Sequence, residues 1–232
     1  MTVRGKRESI CRPMCNLYSY TRAQAEALRV ARPLRDNAGN VPPLPSIFPD
    51  QMAPVIRTAG DGVRELMMMR WGFPSPPGLG APRLVTNVRN VNSNWWKPWL
   101  LAGHRCLVPA TSFCEHHDTP DPKTKRKIPH WFALSEDRPI FFFAGIWRPW
   151  TGTRGTKAEP VEGEHLLYSF LTCDANAVVK PIHAKAMPVI LTTADEVETW
   201  LTGPVEEALK LQRPLVDKAL KVVAFGEKED PA

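Results

Sequence analysis

The sequence predicts an α+β fold built as one β-rich domain, and three observations carry that expectation. The chain holds 24 prolines in 232 residues. Each removes a backbone donor and interrupts helix interiors and central strands, which favours short strands and loops over a helical bundle. The apolar runs are short and rich in aromatic and β-branched residues, at 84–88, 105–108, 131–134, 140–146, 166–172 and 187–191, and such runs read as strands. No repeat or linker divides the chain, and its length suffices for one domain with a real core.

The remaining elements follow in order. Residues 1–13 form a basic, polar extension, expected to be disordered or absent from the mature protein; the domain is expected over 14–225. Residues 15–20 read as a short strand. A helix is expected over 21–30, with Thr21 and Gln24 spaced as a capping box. Residues 31–54 are Pro-rich and read as irregular. Residues 63–70 (VRELMMMR) read as a strand, 71–82 (WGFPSPPGLGAP) as a loop, and 117–129, with its KTKRK run, as a solvated basic loop. Two late helices are expected, one opened by a Thr193–Glu196 capping box and one with Pro204 in its first turn. A last strand is expected at 220–225, and the tail 226–232 (GEKEDPA) reads as disordered.

Composition narrows the function classes. Apolar residues make up 43% and charged residues 23%, as in ordinary soluble proteins. No run of 18 apolar residues is present and the N-terminal stretch lacks the apolar core of a signal peptide, so a cytoplasmic protein without a membrane partner is expected. Five cysteines at irregular spacing, with no CxxC, indicate reduced thiols rather than a disulfide framework or zinc ribbon. No cofactor and no metal are expected. The net charge of +6 suits a polyanionic partner.

Familiar catalytic motifs are missing: there is no GxxxxGK[ST], GxSxG or HExxH. Cys114-Glu115-His116-His117 resembles a ligand cluster, but neighbours on a strand point to opposite faces and cannot converge on one ion. Read singly, Cys15 would be a small core residue, Glu115 a paired or solvated acid, His183 part of a hydrogen-bond network, and Trp71 a core aromatic.

Taken together, six blocks say more. They are Met14-Cys15, Arg70-Trp71-Gly72, Asn87-Val88-Arg89, the run from Arg105 to Glu115 (RCLVPATSFCE), Ala144-Gly145-Ile146-Trp147, and Ile182-His183 followed by Met187-Pro188. Their identity and order resemble the SOS-response-associated peptidase (SRAP) family of abasic-site processing proteins, over roughly residues 14–202. The resemblance implies a curled, mostly antiparallel sheet with peripheral helices. It implies a monomer that senses abasic sites in single-stranded DNA and caps them covalently, with self-processing peptidase activity and a lyase side activity. Cys15, once it is the first residue, would attack the sugar aldehyde with its α-amine and close a thiazolidine with its thiol. Glu115 would shuttle protons, His183 would assist sugar ring opening, and Asn87 would hydrogen-bond the sugar or the intermediate. Arg89 would hold a phosphate, Trp71 and Phe73 would stack on bases, and Lys185 would either replace a family arginine or face solvent.

The implied chemistry is physically sound. An α-amine has a pKa of about 7.7–8.0, so part of it is nucleophilic at neutral pH, whereas a lysine near about 10.4 needs strong depression. The thiol is already held beside the imine carbon. Leu17 stands where the family usually has an arginine, and the Asn87-Val88-Arg89 block lacks its usual following acid. An internal Cys15 carries an amide, so crosslinking requires that the residues before it be absent. Two other readings stay open: a cysteine peptidase using Cys15, His183 and Glu115, and a non-catalytic reader of single-stranded or modified DNA.

Overall fold

The computed structural model describes residues 15–32, 35–76 and 83–232. The expected extension, Cys11, Met14 and part of the loop at 71–82 lie outside them. The elements used below are β1 (Tyr18–Tyr20), α1 (Gln24–Ala31), β2 (Leu44–Ile47), β3 (Met52–Thr58), β4 (Arg64–Trp71), β5 (Arg105–Ala110), β6 (Ser112–His116), β7 (Pro129–Ala133), β8 (Phe141–Gly155), β9 (Pro160–Cys173), α2 (Ala194–Thr202), α3 (Val205–Leu209) and β10 (Lys221–Phe225). No described helix is long and apolar enough to cross a membrane.

Two sheets share one core. The larger runs β9-β8-β5-β3-β4 through antiparallel pairs and then closes on itself, because β4 also pairs with β9 in parallel at Arg70–Leu167 and Trp71–Tyr168. Closure removes two exposed edges. The second sheet, ordered β10-β7-β6-β1-β2, is antiparallel throughout. Its Tyr18 enters the core of the first, meeting Trp71 edge-on at 5.1 Å and Phe143 at 5.5 Å, with its hydroxyl 2.5 Å from that of Tyr168. The α+β, β-rich expectation with a curled sheet therefore holds.

Two of the short sequence blocks have local backbone reasons. Gly72, after Trp71, has φ +110° while its N–H donates to the Tyr168 carbonyl at 2.8 Å, a conformation that favours glycine. At Gly145 a Cβ would sit 2.7 Å from the Cys106 sulfur. Beside it, Trp200 of α2 donates its indole N–H to the carbonyls of Cys106 and Gly145, at 2.9 and 3.1 Å.

Several expectations need correction. The Thr21–Gln24 capping box does not form: α1 starts at Gln24 with no side-chain cap, and Thr21 instead lies against the Thr111 hydroxyl at 3.2 Å. The stretch 31–54 contains β2 and the start of β3; β2 tolerates Pro45 because it is an edge strand. The apolar runs at 140–146 and 166–172 are only the buried halves of a hairpin of 15- and 14-residue strands whose outer half is polar. The tail is not disordered. Asp230 is buried, pairs with Arg138 at 2.8 Å, and accepts from the hydroxyls of Ser19 and Ser112. The Thr193–Glu196 capping box on α2 is present as expected.

Candidate active site

The site lies where β1 begins beside the end of β6. Cys15 is buried, with φ +34°, a left-handed value that a β-carbon makes costly. Its carbonyl accepts from Asn87 Nδ2 at 3.0 Å, and the same amide nitrogen lies 2.9 Å from Thr86 Oγ1. Thr86 in turn donates to Asn16 Oδ1 at 3.2 Å. Thr86 and Asn87 thus hold the Cys15 carbonyl and the Asn16 side chain.

Antiparallel pairing of β1 with β6 brings Glu115 to Cys15. The Glu115 carboxyl is buried, and burial pushes its pKa up to about 8 against the opposing pull of the Cys15 backbone N–H and thiol, which both hydrogen-bond to it. Burial likewise pushes the Cys15 thiol pKa well up, with Glu115 adding to the effect. His183 sits 3.8 Å from Glu115 through Nε2 and 3.2 Å from Asp118 through Nδ1. Burial lowers the His183 pKa, while Asp118 opposes the shift. Asp118 is itself low: burial works against its charge, but the Ala184 N–H and His183 outweigh it.

These groups open into a cleft of about 780 Å³, lined by Cys15, Asn87, Glu115 and His183 together with Lys127 and Lys185. The four expected catalytic residues and Lys185 are therefore gathered in one place. Arg89 is not among the lining residues; it pairs with Asp174 at the surface. Trp71 and Phe73 are fully buried, so the expectation that they stack on bases is corrected. The Trp71 ring lies parallel to Tyr168 and Phe170 and its N–H donates to the Thr86 carbonyl at 3.1 Å, which makes it a floor beneath the Asn87 segment. Cys106, Cys114 and Cys173 are buried thiols with raised pKa values, burial being the main cause in each. Among the described residues no cluster of three or more His, Cys, Asp or Glu is arranged to hold a metal.

Asp118 and Lys127 were not singled out from the sequence. Both fall in a stretch that reads as a solvated loop, and only the fold brings them to His183, 65 and 56 positions away.

Fold and cleft together define a class: a closed β-structure that gathers Cys15, Asn87, Glu115 and His183 around one cleft. The SOS response associated peptidase (SRAP) family model matches residues 14–227, and the chain belongs to that family. A crystal structure of a protein from Bordetella bronchiseptica matches with a TM-score of 0.67 and 22% identity, covering 91% of this chain and 98% of that one. A phage-related protein from the same organism gives 0.65 and 20%, covering 91% and 92%. A protein from Bacteroides thetaiotaomicron gives 0.63 and 21%, covering 89% and 90%. At these identities the likeness is one of fold. No curated protein matches the chain.

Proposed function

We propose that the protein captures abasic sites in single-stranded DNA through Cys15, in a form whose first residue is Cys15. The observation that carries the reading is the gathering of Cys15 and the buried Glu115 carboxyl in one cleft, with His183 Nε2 3.8 Å from that carboxyl. A 1,2-aminothiol at that position would have both nucleophiles beside a proton shuttle. The amine adds to the aldehyde of the ring-opened sugar and water leaves, giving an imine. The thiol then adds to the imine carbon as its proton passes to nitrogen, closing the thiazolidine. His183, held by Asp118 and depressed by burial, is suited to take the proton during ring opening.

The peptidase in the family description fits self-processing in this arrangement. A carboxyl with a pKa of about 8 is mostly protonated at neutral pH, and it faces the nitrogen that would leave if the bond before Cys15 were hydrolysed. A peptidase acting on other proteins is less well supported: a Cys–His peptidase needs a depressed thiol pKa, and this thiol is driven the other way.

The test uses protein beginning at Cys15 and single-stranded DNA with one abasic site. A species stable to denaturing electrophoresis is expected. A reduced-sugar analogue should give none. Cys15→Ala should give only a product that borohydride traps. A stable product with Cys15→Ala, without borohydride, would place the nucleophile elsewhere.

A further inference from the structure

A second groove of about 720 Å³ adjoins the cleft and shares Leu17, Phe48, His116 and Lys127 with it. Its walls come from the loop between β6 and β7, with Arg126, Lys127 and Ile128, and from the segment after β10, with Gly226 and Lys228. Among the described residues three cations and no Asp or Glu line it. The floor is apolar, and Phe48 is 43% exposed along it. Arg126 and Lys228 occupy exposed positions, and among the described residues neither takes part in an ion pair. Next to Lys228, the Glu229 carboxylate accepts from the Ser46 hydroxyl at 3.3 Å, and the Glu227 backbone carbonyl accepts from the Trp131 indole at 3.0 Å. The wall is fixed in place by that indole bond and by the buried Asp230. Lys228 and Asp230 lie beyond the residues that the family model matches.

We propose that this groove takes the single-stranded DNA flanking the reacting sugar on one side, with phosphates at Arg126 and Lys228 and a base against Phe48. An apolar floor beneath a cationic rim matches a strand whose bases have π-faces and whose backbone is anionic. The cleft and the groove share Leu17, Phe48, His116 and Lys127, so a strand leaving the sugar at Cys15 can continue into the groove past Lys127. The inference rests on the single-stranded DNA reading of the cleft.

The experiment pairs two measurements on wild type and on Arg126→Glu/Lys228→Glu. In the first, the full chain is titrated with an intact oligothymidine strand at several salt concentrations. The variant should bind about ten-fold more weakly or worse, and its log K against log salt should be flatter by about 1.4, two contacts at about 0.7 each. In the second, protein beginning at Cys15 reacts with abasic strands carrying about ten nucleotides on both sides, on the 5′ side only or on the 3′ side only. One of the one-sided strands should react about ten-fold more slowly with the variant, and the other should react equally with both proteins. If wild type crosslinks but the variant matches it on every strand and in binding, the groove inference falls while the crosslinking reading stands. If wild type forms no crosslink yet binds the intact strand and the variant does not, the crosslinking reading falls and the groove stands. An equal loss on both one-sided strands would overturn the one-sided placement.

Discussion

Glu115 holds a proton where a surface carboxyl would have lost it, and two consequences follow. With a folded pKa of about 8 against an ordinary 4.5, the folded state binds more protons than the unfolded chain between those values. Stability from this group is therefore full below about 4.5 and is lost as pH rises through about 8. His183 has the opposite sign: its depressed pKa gives stability above its ordinary 6.5 that is lost as pH falls through the folded value. Denaturant midpoints measured between about pH 7 and 8 should have a more negative slope with pH in wild type than in Glu115→Gln, the depressed histidines adding the same opposite slope to both. A wild-type slope that survives in the variant would assign the buried proton to another group. The second consequence is kinetic. General acid–base groups contribute about 10²–10⁴-fold, so Glu115→Gln and His183→Gln should slow crosslinking by that order while single-stranded DNA binding changes only a few-fold. Parallel collapse of rate and binding would show that both residues serve the fold alone.

At the scale of elements, the short blocks in the sequence turn out to be places where backbone and core meet. Trp71 ends β4 with its ring under the Asn87 segment, so its loss is a core defect. Trp71→Ala should destabilise by about 3–5 kcal/mol, read from the denaturant midpoint, whereas Trp71→Phe should fold and keep its DNA affinity. A folded Trp71→Phe that loses affinity ten-fold would restore the ring to the DNA interface. The same element shows why sequence reading succeeds and fails. Cys15, Asn87, Glu115 and His183 were legible because the blocks occur in a family order. Whether Trp71 faces a base or the core is not encoded in its local pattern, since Trp71, Gly72 and Phe73 are buried in succession and no exposed face marks the strand end. Likewise Thr193 caps α2 because its Glu196 partner lies within the helix. The matching pair Thr21 and Gln24 fails because distant groups compete for both side chains: Thr111 for one, and Asp36 and the Val41 N–H for the other.

For the whole molecule, Asp230 is the residue that composition hid most completely. GEKEDPA is as polar as any disordered tail, yet its aspartate side chain is wholly buried against Arg138, Ser19 and Ser112. No local rule selects one acid of a charged run for burial; the decision is made by a cavity built from residues about 90 to 210 positions earlier. Removing one member of a buried pair strands the other, which typically costs about 3–5 kcal/mol. Asp230→Ala should therefore lower the unfolding midpoint far more than Glu229→Ala, whose partner is an exposed hydroxyl. Equal, small effects would mean that the segment contributes no more than a surface tail.

The bond from Ser19 to Asp230 joins positions 211 residues apart, which gives the molecule an order of assembly on the ribosome. The strand that follows Cys15 is synthesised early, but its polar anchor arrives only with residue 230. Through most of synthesis Ser19, Ser112 and Arg138 lack the carboxylate that holds them, and β7 lacks its neighbour β10. A nascent chain stalled before residue 220 should thus leave β1 accessible to protease, and release of the finished chain should protect it. The fold around Cys15 is complete only once residue 230 has joined it.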